Sequence, residues 1–322
     1  FKRKFIDNNV EVDFARVDEK SERYENVLHK VLKEESRTIV NKNLRNYDKC
    51  LKLLLDDGNL RFKNNMAAAI NGMKQAFAAS TAGEVEIPNR TIVALGDTSD
   101  LAIFMPSHMN NLSRTSIKSL TFLPENGRKG LPVIHAVVVV FDSVSGSPLA
   151  LIEGSRLTAI RTAAGGGASV DLLARKDSVS LAMLGSGTQA KAGIEAACAV
   201  REIKLVRLYS PTPGNAEALA DELSQASWCP EIRVVADPDE AVRTADIIWT
   251  ATTSLTPTFS AASVAPGAHI VGIGSFQPSM VEIEPSILNK GTVFVDQMEA
   301  SWSEAGEMMA ARCEEVRVGT EG

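Results

Sequence analysis

The chain has 322 residues, 44% hydrophobic and 23% charged, with a net charge of −6. That length accommodates two domains with cores of their own, and the acidic balance argues against nucleic acid or an anionic membrane surface as the main partner. The most apolar stretch, Val133 to Phe141, is too short to span a bilayer; Cys50, Cys198, Cys229 and Cys313 are too scattered for a zinc site and read as reduced thiols of a cytoplasmic protein.

Phe1-Lys-Arg-Lys-Phe is basic but has no apolar core behind it, so it is not expected to direct secretion. Residues 1–50 are highly charged. Glu19 to Leu44 is compatible with a polar helix, but an appended, partly disordered arm fits the composition better. From Phe62 to Ala79, apolar residues recur at Met66, Ala69, Ile70, Met73 and Phe77, which predicts an amphipathic helix. Glu86 to Leu95 and Leu101 to Met105 read as strands, as do the segments flanking a polar loop (Pro124 to Lys129) within Ser116 to Asp142. Asp142 to Gly146 is a hairpin turn, and Pro148 to Ile152 pairs back. Together these predict a mostly antiparallel layer, a substrate and dimerisation domain of α+β type over residues 51–160.

Thr158 to Ala174 reads as a helix of small residues. Gly165, Gly166 and Gly167 are costly in a helix interior unless something packs closely there or the helix bends. Val179 to Leu184 then suits a buried parallel strand, and it runs into Gly185-Ser186-Gly187-Thr188-Gln189-Ala190 ahead of an Ala-rich helix. In this G-x-G-x-x-A turn the first glycine permits the tight bend. The second lets the backbone approach a pyrophosphate, and Ala190 allows close strand–helix packing. Thr188 and Gln189 would offer backbone amides to that pyrophosphate at the positive end of the helix.

A second apolar strand, Ile203 to Tyr209, ends in Ser210-Pro211-Thr212, where an acidic residue would take the ribose 2′-hydroxyl of NAD. Without that carboxylate a 2′-phosphate is not repelled, and Ser210 and Thr212 add hydroxyls. No arginine follows, so the lean to NADP over NAD is slight. Asn215 to Ser227, Ile232 to Val235, Pro238 to Thr244, Asp246 to Ala251, Ala268 to Gly274 and Thr292 to Val295 continue the alternation of helix and strand. They predict a doubly wound, Rossmann-type parallel sheet over residues 161–300. Thr252 and Thr253 would face the nicotinamide side, or be no more than strand-end hydroxyls. His135, alone in an apolar strand, reads as structural; Glu282 and Glu284 read as loop charges.

Ordered motifs extend across this frame: I-P-N-R at 87–90, Lys118 ahead of G-L-P at 130–132, F-D-x-x-S-G-x-P-L-A at 141–150 and L-T-A-I-R-T-A-A at 157–164. They continue with G-S-G-T-Q-A at 185–190, A-D-I-I-x-T-A-T-T-S at 245–254, P-G-A-H-I at 266–270 and E-A-G-E at 304–307. From about Asn64 to Met309 the chain resembles the ornithine cyclodeaminase/mu-crystallin family. The resemblance implies a Rossmann domain paired with a substrate domain that usually dimerises, and NAD(H) or NADP(H) as cofactor. It implies ornithine cyclodeamination, reduction of cyclic imino acids or interconversion of amino and oxo acids; some members serve mainly as binding proteins. By the same resemblance Arg90 and Lys118 hold a substrate carboxylate, Lys118 serves the chemistry, and Arg161 lies by substrate and cofactor with Thr162. Gly274, in the loop after the P-G-A-H strand, belongs to the cofactor side.

Two departures sharpen the reading. Ornithine cyclodeaminases carry a catalytic Asp where this chain has Phe276, and the Gly274-Ser275-Phe276 loop is similar to that of the ketimine and Δ1-pyrroline-2-carboxylate reductases. Loss of that proton carrier favours imine reduction over deamination. The family also continues past E-A-G-E to a helix returning to the substrate domain, so residues 301–322 read as the start of a shortened return segment.

Overall fold

The two halves use two kinds of sheet. A computed structural model of the chain describes residues 6–7, 10–11, 66–88, 90–96, 99–129, 131–311 and 316–318. Strands β1 (Ile6–Asp7) and β2 (Val10–Glu11) form a short antiparallel hairpin. The polar helix expected over 19–44 lies outside the described residues, as do residues 62–65 of the next expected helix, which is seen as α1 (Met66–Thr81).

An antiparallel sheet follows: β3 (Val85–Glu86), β4 (Thr91–Ala94), β5 (Leu101–Met109), β6 (Arg114–Phe122), β7 (Ile134–Asp142) and β8 (Pro148–Glu153). The strand expected from Glu86 to Leu95 is split in two. Pro88 lacks an N–H for the ladder, and Arg90 falls in the gap. In the centre of the sheet Lys118 pairs with Met105 on one side and Val138 on the other.

Glu153 ends the sheet and starts a helix. Its carboxylate accepts from the backbone N–H groups of Ser155 (2.7 Å) and Arg156 (2.8 Å), so α2 (Gly154–Leu173) begins four residues before the expected Thr158. Gly154 is needed because a Cβ there would come within 2.7 Å of Ala136 on β7. The triple glycine of α2 has the close-packing explanation. A Cβ on Gly166 would lie 2.5 Å from the Trp249 ring, and one on Gly167 would lie 2.7 Å from Ile70; Gly165 meets nothing nearer than Phe77 at 3.7 Å.

The second sheet has five parallel strands, β9 (Ser180–Leu184), β10 (Leu205–Tyr209), β11 (Glu231–Val234), β12 (Ile247–Thr250) and β13 (His269–Gly272), in the order β11-β10-β9-β12-β13. Crossovers run through α3 (Thr188–Val200), α4 (Pro213–Ser224) and α5 (Pro238–Val242). Its faces carry separate cores. One joins α1, α2 and α3 over Leu181, Met183, Val206 and Trp249; the other lies over Ala182, Leu184 and Ile248. The strand order reverses between β9 and β12, the switch point where such sheets take ligands at their carboxyl ends.

One expectation fails here. The strand expected at Thr292 to Val295 does not extend this sheet: β14 (Val293–Val295) pairs in parallel with β15 (Val316–Val318) in a sheet of their own. The intervening chain is held across the carboxyl edge instead, by hydrogen bonds from Val281 N to Ser254 O (3.0 Å) and Thr258 N to Glu282 O (2.8 Å). Short helices α6 (Pro285–Leu288), α7 (Met298–Glu304) and α8 (Gly306–Ala311) complete that side.

Candidate active site

The antiparallel sheet brings Lys118 to α2. In the pleat Lys118 shares a face with Val138 and Ala136, the residue on which α2 begins. Its Nζ donates to Thr158 Oγ1 at 2.7 Å, and Thr158 Oγ1 donates to Gly154 O at 2.6 Å. Arg161 follows Thr158 by three residues and so lies on the same face of the helix. Burial pulls the Lys118 ammonium down from 10.5 to about 8, and the neighbouring Arg161 charge adds to the effect. Arg161 opens onto solvent, yet the protein around its guanidinium also lowers its pKa, against an opposing pull from Asp296. Thr162 sits beside it, half-buried. Two close cations that form no ion pair with a carboxylate among the described residues suit an anionic ligand.

Arg90 has a different environment. It forms an ion pair with Glu304 of α7, the first acid of the E-A-G-E motif, at the partly exposed edge between the two halves. His135 is exposed on β7 and pairs across to Thr121. Phe276 stands 49% exposed.

At the switch point, Gly185 has φ +119°, and a Cβ there would collide with the carbonyl of Ala251 on the neighbouring strand end. Gly187 caps α3 without a side-chain bond, and a Cβ placed on it meets nothing within 4 Å. That opening leaves room for a ligand above the first N–H groups of α3, at Thr188 and Gln189. The Gln189 side chain adds a buried Oε1 with no hydrogen-bond partner among the described residues. These features fit a pyrophosphate. At the end of β10, Ser210 is 7% exposed and its Oγ accepts from Ser186 Oγ at 2.9 Å, which ties the glycine turn to the second strand. Thr212 remains exposed.

The nicotinamide-side expectation is rearranged. Thr252 turns its hydroxyl inward: Thr252 Oγ1 (2.7 Å) and Thr252 N (2.6 Å) both donate to Oε1 of Glu282. Thr250 Oγ1 (3.0 Å) and Gly274 N (2.6 Å) donate to Oε2. Thr253 stays exposed. Gly274 is required by this contact, because a Cβ would strike both the Thr252 carbonyl and the Glu282 carboxylate. Glu282, read from sequence as a loop charge, is thus fully buried, and burial raises its pKa while the four donors pull back. Its one sequence signal is placement between Val281 and Ile283, apolar neighbours that an exposed loop rarely keeps. Glu284 also has partners, accepting from Ala261 N at 2.7 Å. Thr158 and Glu304 were visible inside motifs but carried no assignment.

Among the described residues no helix is long and apolar enough to cross a membrane, and no three His, Cys, Asp or Glu side chains are grouped to hold a metal ion. Residues 52–318 match the ornithine cyclodeaminase/mu-crystallin family. The chain belongs to that family. It is 37% identical over 245 residues to the Δ1-pyrroline-2-carboxylate reductase of Bacillus cereus, covering 76% of this chain and 75% of that one. The mouse ketimine reductase mu-crystallin is 31% identical over 233 residues, 72% and 73% of the two chains. Among solved structures, the Thermococcus litoralis Δ1-pyrroline-2-carboxylate reductase in complex with NADH and L-proline superposes with a TM-score of 0.73 at 30% identity, covering 82% of this chain and 79% of that one. An archaeal alanine dehydrogenase dimer with bound NAD gives 0.71 at 28% identity, with 77% and 75% covered.

Proposed function

We propose that the chain is an NAD(P)H-dependent reductase of a cyclic imino acid of the Δ1-pyrroline-2-carboxylate or ketimine type, giving the L-amino acid. The observation that carries this is the Lys118–Thr158–Arg161 cluster at the start of α2, in a chain that also has a glycine turn fitting a dinucleotide; the B. cereus relative supports it. Bound nicotinamide cofactor supplies the hydride for the imine carbon. Arg161 offers its fork to the substrate carboxylate, and Lys118 supplies a second positive charge that orients it. With a pKa of about 8, Lys118 also holds a proton it can share with the imine nitrogen near neutral pH. Arg90 is a carboxylate ligand only after exchanging Glu304 for substrate.

The ribose end admits either cofactor. The missing acid at Ser210 gives a slight lean to NADPH: Ser210 Oγ accepts from Ser186 and keeps its own proton to donate, with Thr212 exposed nearby, and the lean stays slight because no arginine follows. We infer a homodimer through the antiparallel sheet. None of the residues of β4 to β8 is fully buried, and Phe104, Val93 and Leu151 stand exposed on one face of it. The unpaired thiols of Cys198 and Cys229 suit a reducing, cytoplasmic setting.

The test is absorbance at the reduced-nicotinamide band, with NADH or NADPH and Δ1-pyrroline-2-carboxylate. Oxidation that disappears in Lys118→Ala supports the reading and ranks the cofactors. Ammonia release from ornithine with NAD, without imine reduction, overturns it.

A further inference from the structure

Two acids lie beneath the carboxyl ends of β12 and β13, and among the described residues neither pairs with a cation. Glu282 is 0% exposed, and each of its oxygens takes one backbone N–H and one hydroxyl. The two backbone N–H groups can only donate, so with the hydroxyls they favour the anion and oppose the burial that raises its pKa. Glu307 of α8 is 6% exposed and its Oε2 has no hydrogen-bond partner. A Cβ on Gly272, at the end of β13, would lie 3.7 Å from Thr250 Oγ1 and 3.9 Å from Glu307 Oε1, so both acids border the same strand ends.

Isolated buried carboxylates are expensive, and a fold needing only hydrogen-bond acceptors here could use neutral ones. Glu282 is bonded directly to Thr252 and Gly274, the nicotinamide side in this reading, and Glu307 borders Gly272 beside it. The nicotinamide ring is neutral when reduced and positive when oxidised. We propose that Glu282, with Glu307 behind it, makes this site hold the oxidised cofactor more tightly than the same site would without these charges. The effect poises the chain for reduction. When a hydride, one proton with two electrons, leaves the reduced ring for the carbon of a protonated imine, the ring gains a positive charge and the iminium loses one. The charge that appears on the ring is the one these acids stabilise. The inference rests on the nicotinamide reading of the site.

Binding of each redox form, measured without substrate, tests it. The full chain is titrated with NADH and with NAD, following tryptophan fluorescence or heat, in the wild type, Glu282→Gln and Glu307→Gln. The expected result is a rise in Kd(NAD)/Kd(NADH) on the order of tenfold for Glu282→Gln, the scale of one partly screened charge, and a smaller rise for Glu307→Gln. Equal weakening of both forms means that Glu282 acts only on loop structure and overturns the proposal. Should Glu282→Gln fail to fold, Glu307→Gln decides, since the unpaired Oε2 has no bond to lose; an unmoved ratio there overturns it too. If neither form binds the wild type, the nicotinamide reading itself falls and takes the proposal with it.

Discussion

Lys118 Nζ donates to Thr158 Oγ1 at 2.7 Å, and that hydroxyl has already committed its only proton to Gly154 O at 2.6 Å. Its oxygen can therefore only accept from Lys118, which fixes the direction of the bond whether the amine is charged or neutral. The remaining protons or the lone pair of Nζ are left for a ligand. Replacing Thr158 by Val removes the acceptor while keeping the shape. We expect kcat/KM for the imine to fall about tenfold, the cost of one hydrogen bond to a charged group, and Thr158→Ser to recover most of it. Steady-state kinetics on the three proteins checks this.

The pH dependence has two opposite signs. Activity that needs the protonated amine falls as pH rises through about 8, where Lys118 loses its proton. Stability moves the other way. The folded pKa lies below the model-compound 10.5, so burying the cation penalises the fold fully below about pH 8, and the penalty is lifted between about 8 and 10.5. Lys118→Met should accordingly be more stable than wild type at pH 7 and lose that advantage by pH 10.5, read from urea midpoints at each pH.

Gly187 separates cofactor binding from folding. Its backbone has φ −86°, which any residue adopts, and a Cβ there touches nothing of the protein. Gly187→Ala should leave the urea midpoint unchanged within experimental error and weaken NADH and NADPH binding by about tenfold or more, because the methyl group enters the cradle. Equal affinities in equilibrium titrations would remove Gly187 from the cofactor site.

The glycine run in α2 makes a prediction within three residues. Gly166→Ala drives a methyl into Trp249 and should cost about 1–3 kcal/mol through overpacking. Gly165→Ala meets only Phe77 at van der Waals distance and should gain about 0.5–1 kcal/mol from helix propensity. Denaturant unfolding of the two variants gives the comparison.

Subunit association should depend on the apolar face of the antiparallel sheet. Phe104, 37% exposed in β5, lies on that face with Leu151 of β8. Phe104→Arg should shift the protein from dimer to monomer in light scattering after size exclusion, with the monomer remaining folded by circular dichroism. A wild-type monomer would end the dimer proposal.

The sequence by itself determined what depends on local chemistry and period. The continuous apolar runs specified buried parallel strands, and Gly185 to Ala190 specified a tight turn into a helix, because both signals lie within a few consecutive residues. Tertiary structure decided everything that depends on which distant residues meet. Glu282 reads as a loop charge until the chain from Gly274 to Ile283 folds back under β12 and spends the Thr252 hydroxyl on it. Arg90 reads as a free cation until α7 brings Glu304 to it, 214 residues away. β14 reads as one more strand of the parallel sheet until the same fold-back carries it to β15. Hydrogen bonds and charges of this kind are made across long sequence separations, and no local pattern records which partner will be there.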